Sequence, residues 1–150
     1  MKTILSFDLG KIGAYAVYDG KSFTSYDIKF VSLLKYEKAV KDLIRLHNPD
    51  IISTAYPNLY RGARQNVLKV QFGLAAIIEK ACEQFEKTFY ILSEISAKKE
   101  IIGNYRAKKD EIVGYYHTNE LTFDKSYVKL FEHQSDAMMF AEYTFKKCQE

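Results

Sequence analysis

Apolar and polar positions along the chain mark out a run of short elements. The stretch ILSFDLG (4–10) lies in an apolar run over residues 2 to 9 that predicts a buried strand. A second strand is predicted over 12–18, in KIGAYAVY, after a tight Gly10–Lys11 turn. Asp19-Gly20 is a hairpin signal, and SFTSYDI (22–28) alternates as a third strand. Tyr36, Val40, Leu43 and Ile44 then recur at helical spacing, and Asn48-Pro49 ends that helix. DIIST (50–54) is a fourth strand, reached by a helical crossover. PNLYRGARQN (57–66) is a polar loop before a long helix, in which Leu68, Phe72, Ala75, Ile78, Cys82 and Phe85 form one apolar stripe.

TFYILS (88–93) reads as a fifth strand. Ser96 is placed to cap a short helix, with Lys99 where a capping box prefers Glu. Gly103-Asn104 breaks it, and AKKDEIVGYY (107–116) resumes helical spacing. A loose segment over 117–131 precedes a last helix, SDAMMFAEYTFKK (135–147). The expected architecture is α/β over a single domain, 1–150: a mixed five-stranded sheet, built from a three-strand antiparallel meander plus parallel strands, with helices on both faces. Ligands of such sheets gather at strand ends, and Asp8 falls at one.

Composition narrows the class. The chain is 47% hydrophobic and 27% charged, as folded soluble domains are, which argues against wholesale disorder. A net charge of +3 permits an anionic partner without demanding one. Cys82 and Cys148 stand far apart with no zinc-type spacing and read as free buried thiols of a reducing compartment. No stretch reaches the ~18 apolar residues of a membrane span. The opening residues do not read as a signal peptide, because Asp8 breaks their apolar run. A cytoplasmic location, in a bacterium or a phage-infected host, is the expectation.

An acid at the end of a central strand is costly unless something pairs with it. Either the strand ends in solvent, or Asp8 holds a metal ion or polarised water. The last helix opens with HQSDAMMFAEY (133–143), where His133 and Asp136 are three apart and share a face of its first turn. With Asp8 they make a ligand set for a divalent cation. The alternative is a His/Asp pair favoured by the helix dipole, with Asp8 capping its own turn.

Basic residues cluster twice. Arg61, Arg64 and Lys69 flank the loop and the start of the long helix, and Lys98, Lys99, Arg106, Lys108 and Lys109 put five charges in twelve residues. They suit phosphate contacts read by shape and charge, or simply a solvated helix face. Tyr60 suits stacking at a nucleic-acid branch, or packs on its own loop.

Four of these motifs, in order and spanning nearly the whole chain, resemble the RuvC-type Holliday junction resolvases, a family of ribonuclease H-like fold. ILSFDLG looks like the family's opening strand with its metal-binding aspartate, here Asp8. LKVQFGLAAIIEKAC (68–82) is similar to its central helix. KKEIIGNYRAKKDEI (98–112) looks like its Lys-rich segment, whose lysine is here Lys109, and HQSDAMMFAEY matches its C-terminal acid-x-x-Asp-Ala motif with His133 in place of the first acid. The resemblance implies a nuclease that cuts four-way DNA junctions symmetrically, uses two Mg²⁺ ions with Mn²⁺ as a substitute, and works as a homodimer. The long helix, with Leu74 and Ile77 outside its core stripe, is the expected dimer face, unless those residues lie under the last helix.

One position departs. The family carries a metal-binding glutamate at the end of the fourth strand, and the matching residue here is Ala55, in IISTAYPN. Asp50 is at the wrong end of that strand, and Ser53 and Thr54 are weak, neutral ligands. The chain is then either a natural member that lost activity or a Glu→Ala variant that binds DNA without cutting it. Two rivals remain open. D-x-G-K-x-G-A also resembles the phosphate-binding hairpin of actin-like ATPases, and a non-catalytic DNA-binding module of the same fold fits Ala55.

Overall fold

A computed structural model describes residues 1–56, 64–117 and 125–150. Strands β1 (Ile4–Asp8), β2 (Ile12–Tyr18) and β3 (Phe23–Lys29) form an antiparallel meander. After α1 (Leu33–His47), strand β4 (Ile51–Ala55) pairs parallel to β1. After α2 (Gln65–Gln84), strand β5 (Thr88–Leu92) pairs parallel to β4. The order β3-β2-β1-β4-β5 leaves β1 in the centre, as the apolar runs predict. The rest is helical: α3 (Glu94–Ala97) continued by a π-helical stretch (Lys98–Ile102), then α4 (Lys109–Tyr116) and α5 (Lys125–Lys147).

Strand alternation sends β1 to two cores. Leu5, Phe7 and Leu9 pack with Tyr36, Val40 and Ile44 of α1 and Leu74, Ile78, Ala81 and Cys82 of α2. On the other face Ile4 joins Ala137, Met138 and Ala141 of α5, while Leu92 and Ala97 join Met139, Phe140 and Tyr143. Between β1, β4 and α5 runs a buried hydroxyl chain: Ser6 against Ser53, Ser53 2.7 Å from Thr144, and Thr144 Oγ1 2.7 Å from the Phe140 carbonyl. Each hydroxyl has one proton, so donation from Ser6 to Ser53 to Thr144 to the carbonyl satisfies every link.

Two glycines are required by close approach. A Cβ on Gly13 would lie 2.2 Å from the Asp8 carbonyl oxygen, so β2 can cross β1 there only without a side chain. Gly20, at φ +92°, turns the β2–β3 hairpin with the Phe145 ring against its Cα. Asp19 accepts the Lys21 and Ser22 amides in that turn, as its Asp-Gly signal predicts.

Four expectations are corrected. The last helix starts at Lys125, not 135, so 125–131 is helical and His133 and Asp136 sit in its third and fourth turns, beyond reach of a helix-terminus dipole. Ser93, not Ser96, caps α3, accepting from the Ser96 amide. Leu74 is fully buried in the core with α1 and the sheet, not on a second face of α2, and Ile77 packs partly against the same core. Phe72 and Val67 are the exposed apolar residues of α2, each 46% accessible, so Phe72 leaves the expected stripe. The predicted strands and α1 agree with the structure to within about two residues.

Candidate active site

Asp8 ends β1 on the face turned to α5, and its side chain is 18% exposed. Its Oδ2 is 2.7 Å from Nδ1 of His133. The other imidazole nitrogen, Nε2, is 3.2 Å from Glu132 Oε1. One turn further along α5, Asp136 is buried, only 4% exposed, and its Oδ2 accepts a 2.7 Å hydrogen bond from Lys109 Nζ. Lys109 is the first residue of α4, which packs along α5. Spacing of three on one helix and a strand-end acid thus bring Asp8, His133, Asp136 and Lys109 together, as expected. The His133 contact pairs Asp8 across to α5, so the acid does not end β1 in open solvent.

The electrostatics are those of a crowded anionic site. Burial pushes the Asp8 carboxyl up, opposed by the His133 hydrogen bond and by the charges of His133 and Lys109. Burial and the Asp8 charge push Asp136 up to about 7, with Lys109 pulling the other way. The Asp8 hydrogen bond raises His133 against its own desolvation. Burial works against the Lys109 ammonium, yet Asp136 and Asp8 hold it above its ordinary range. Asp136 Oδ1 is buried with no hydrogen-bond partner, a costly arrangement that a cation would relieve. Among the described residues no three His, Cys, Asp or Glu side chains converge as a ready metal cage, and the Lys109 ammonium supplies the local positive charge.

Ala55 ends β4, paired with Leu92, and packs against the core of Leu92, Met139 and Phe140. It contributes a methyl group at the strand end where the sequence resemblance implies a glutamate. Sequence reasoning missed Glu94, whose charge raises both Asp8 and Asp136. The available signal was its place two residues beyond the end of β5, at the edge where Asp8 and Ala55 also end.

The five-charge run divides in two. Lys98 Nζ lies 2.8 Å from Glu94 Oε1 and Lys109 faces Asp136, so these two meet acids of the site. Lys99, Arg106 and Lys108 are exposed, with Arg106 over the Tyr105 ring. Arg64 and Lys69 are exposed at the start of α2, where Gln71 Nε2 donates to the Leu9 carbonyl and holds that helix to the end of β1. Tyr60 and Arg61 lie outside the described residues. Among the described residues no helix is long and apolar enough to cross a membrane.

No protein-family model and no curated protein matches the chain. Solved structures do. RuvC of Thermus thermophilus superposes with a TM-score of 0.67 at 12% identity, covering 95% of this chain and 96% of its own. The Fowlpox virus resolvase, solved with its substrate Holliday junction DNA, gives 0.64 at 12% identity over 99% of both chains. The yeast mitochondrial Holliday junction resolvase Ydc2 gives 0.56 at 10% identity, over 92% of this chain and 76% of that one. The chain therefore has the ribonuclease H-like α/β fold shared by RuvC and these other Holliday junction resolvases.

Proposed function

We propose that the chain is a structure-selective DNA endonuclease of the RuvC type, which resolves four-way junctions by paired, symmetric phosphodiester hydrolysis leaving 5′-phosphate and 3′-hydroxyl ends. The observation that carries the reading is the meeting of Asp8, from the end of the central strand, with His133 and Asp136 of α5 and Lys109 of α4. The structures of similar fold in complex with Holliday junction DNA support branched DNA as the partner.

The donor set fits Mg²⁺, with Mn²⁺ as a substitute: two carboxylates suit a hard cation, imidazole suits Mn²⁺ better, and the orphaned Asp136 Oδ1 is an acceptor without a donor. Bound there, a pair of divalent ions would activate water and stabilise the leaving 3′ oxygen. Asp8 and Asp136 are the carboxylates that would hold them. His133, fixed by Asp8, is placed either as a ligand or to take a proton from the attacking water. Lys109, paired with Asp136, would steady that carboxylate beside the reacting phosphate. Lys99, Arg106, Lys108, Arg64 and Lys69 serve as phosphate contacts, joined by Tyr60, Arg61 and Lys98.

Symmetric cutting requires two sites related by a twofold axis, hence a homodimer. Leu33 and Leu34 of α1 and Phe72 of α2 are exposed, with Leu33 lying against Gly73, and we take this region in place of Leu74 as the proposed contact.

Ala55 favours a second reading, a branched-DNA-binding module of this fold that does not cut. Gel-shift titration of a four-way junction against linear duplex, with cleavage assayed in Mg²⁺ before and after Ala55→Glu, separates them. Selective junction binding with paired nicks that appear or rise on Ala55→Glu supports the nuclease. A folded, junction-binding Ala55→Glu protein that never cuts leaves only the module.

A further inference from the structure

We propose that Lys11 in the β1–β2 turn, Lys29 at the end of β3 and Lys129 of α5 form a second phosphate-holding rim, which grips the backbone of a DNA arm on the β3 side of Asp8. The inference rests on the nuclease reading above and extends its DNA contact to a part of the sheet edge that reading leaves without a role.

Register brings these residues to the edge where Asp8 ends. Asp8 is paired with Ala14 and Ala14 with Asp27, while Ile12 is paired with Lys29. The Phe30 amide donates to the Lys11 carbonyl at 2.9 Å, which ties the turn to the end of β3. Ala14 and Ala16 of β2 pack with α5, and the Ser25 hydroxyl of β3 donates to Gln134 of α5. Alternation therefore puts Ile12 and Lys29 on the same face of the sheet as Asp8. Two strand spacings across and two residues along place Lys29 about 12 Å from Asp8. At 3.4 Å each, that is roughly three to four base steps of a duplex. Lys129 stands one turn before His133 on the same side of α5, and His133 is the residue that meets Asp8.

The turn itself is built for close approach. It is the D-x-G-K-x-G-A stretch (8–14), with Lys11 exposed at its tip. A Cβ on Gly10 would lie 2.9 Å from the Ile12 carbonyl oxygen, and one on Gly13 would press on Asp8, so both positions stay bare. Bare backbone beside an exposed ammonium suits a phosphate. Lys29 and Lys129 are exposed too, and among the described residues none of the three lysines enters an ion pair. Lys98 and Lys109, by contrast, are held by Glu94 and Asp136. Asp27, the sole acid between Gly20 and Glu37, is exposed and beyond ion-pair distance of Lys29. Ile12 and Val31, 59% and 63% exposed, leave apolar surface beside Lys29 for the sugars of a backbone. The cations assigned above come to the site from other sides: the 98–109 run from β5, where Ile101 packs with Leu92, and Arg64 and Lys69 from α2 on the opposite face of the sheet.

Four-way junction binding by the full chain, read by fluorescence anisotropy across a salt series, tests this separately from cleavage. The triple variant Lys11→Ala/Lys29→Ala/Lys129→Ala should bind more weakly. Its slope of log K against log[salt] should flatten by about 0.9 for each phosphate released, up to about 2.7. Arginine at all three positions should keep the parent slope. Lys2→Ala/Lys21→Ala/Lys87→Ala, which removes the same charge from the opposite edge of the sheet, should keep it as well. Equal flattening in both alanine triples would mean bulk charge instead of a rim and overturn the proposal. If the rim variant keeps the slope of a parent that binds the junction, the rim is overturned and the nuclease reading stands. If the parent binds neither junction nor duplex, both fall.

Discussion

Asp8 and His133 are 125 residues apart in sequence and 2.7 Å apart in space, carboxylate oxygen to imidazole nitrogen. The contact joins the central strand to the longest helix. Its consequence for the imidazole is orientation: Nδ1 is committed to Asp8 and Nε2 lies 3.2 Å from Glu132 Oε1.

His133→Ala should therefore act on chemistry more than on binding. In the Ala55→Glu background, single-turnover junction cleavage is expected to fall by roughly 10–100-fold, the cost of removing a group that orients a metal-site ligand. Junction affinity, measured by gel shift, should stay close to that of the parent. A parallel loss of affinity would place His133 in DNA binding instead.

Asp136 is expected to limit stability above neutral pH. Its folded-state pKa of about 7 lies above the unfolded value, so the folded state favours the protonated acid. The stability present below the unfolded pKa near 3.8 is lost as pH rises through the folded value. Asp136→Asn should consequently raise Tm at pH 8 and leave it nearly unchanged at pH 4. The gain at the higher pH comes from replacing an acid that must ionise against burial and the Asp8 charge, set against loss of the Lys109 pair. Calorimetry at both pH values checks the sign.

The exposed cations should bind by charge alone. Lys99→Ala, Arg106→Ala and Lys108→Ala combined should weaken junction and duplex binding together. The dependence of log K on log[salt] should flatten by about 0.9 for each phosphate that is no longer neutralised. Lys109→Met should spare most of that slope, since its ammonium is spent on Asp136. Fluorescence anisotropy across a salt series distinguishes the two sets.

Gly13→Ala should damage the fold and the site at once. The added methyl would press on the Asp8 carbonyl, a backbone atom that cannot swing away. A loss of about 3 kcal/mol or more is expected, at the upper end for an overpacked position, with a lowered urea midpoint. Gly103→Ala provides the contrast: a Cβ there meets nothing within 4 Å, and only the positive φ opposes it.

How far local pattern reaches can be traced through particular residues. Strands β1 to β5 and helix α1 follow from runs, alternation and turn residues, because these depend on side chains within a few positions of each other. Asp8 also stands out locally, as an acid that interrupts an apolar strand, and His133 and Asp136 share a helix face by spacing alone. Other features are not local. The segment 125–131 has Tyr127, Leu130 and Phe131 at helical spacing, but the run is too short to declare a helix by itself and is helical as the opening of α5. Leu74 lies off the expected stripe yet is buried, because α2 is covered by both the sheet and α1. Lys109 looks like one more surface cation in a basic run, and only packing of α4 against α5 turns it onto Asp136, whereas Lys98 meets Glu94 by i, i+4 helical spacing alone. Glu94 has no motif at all. Its relation to Asp8, Asp136 and Ala55 arises from where parallel strands end, a property of the assembled sheet that no period within the chain encodes.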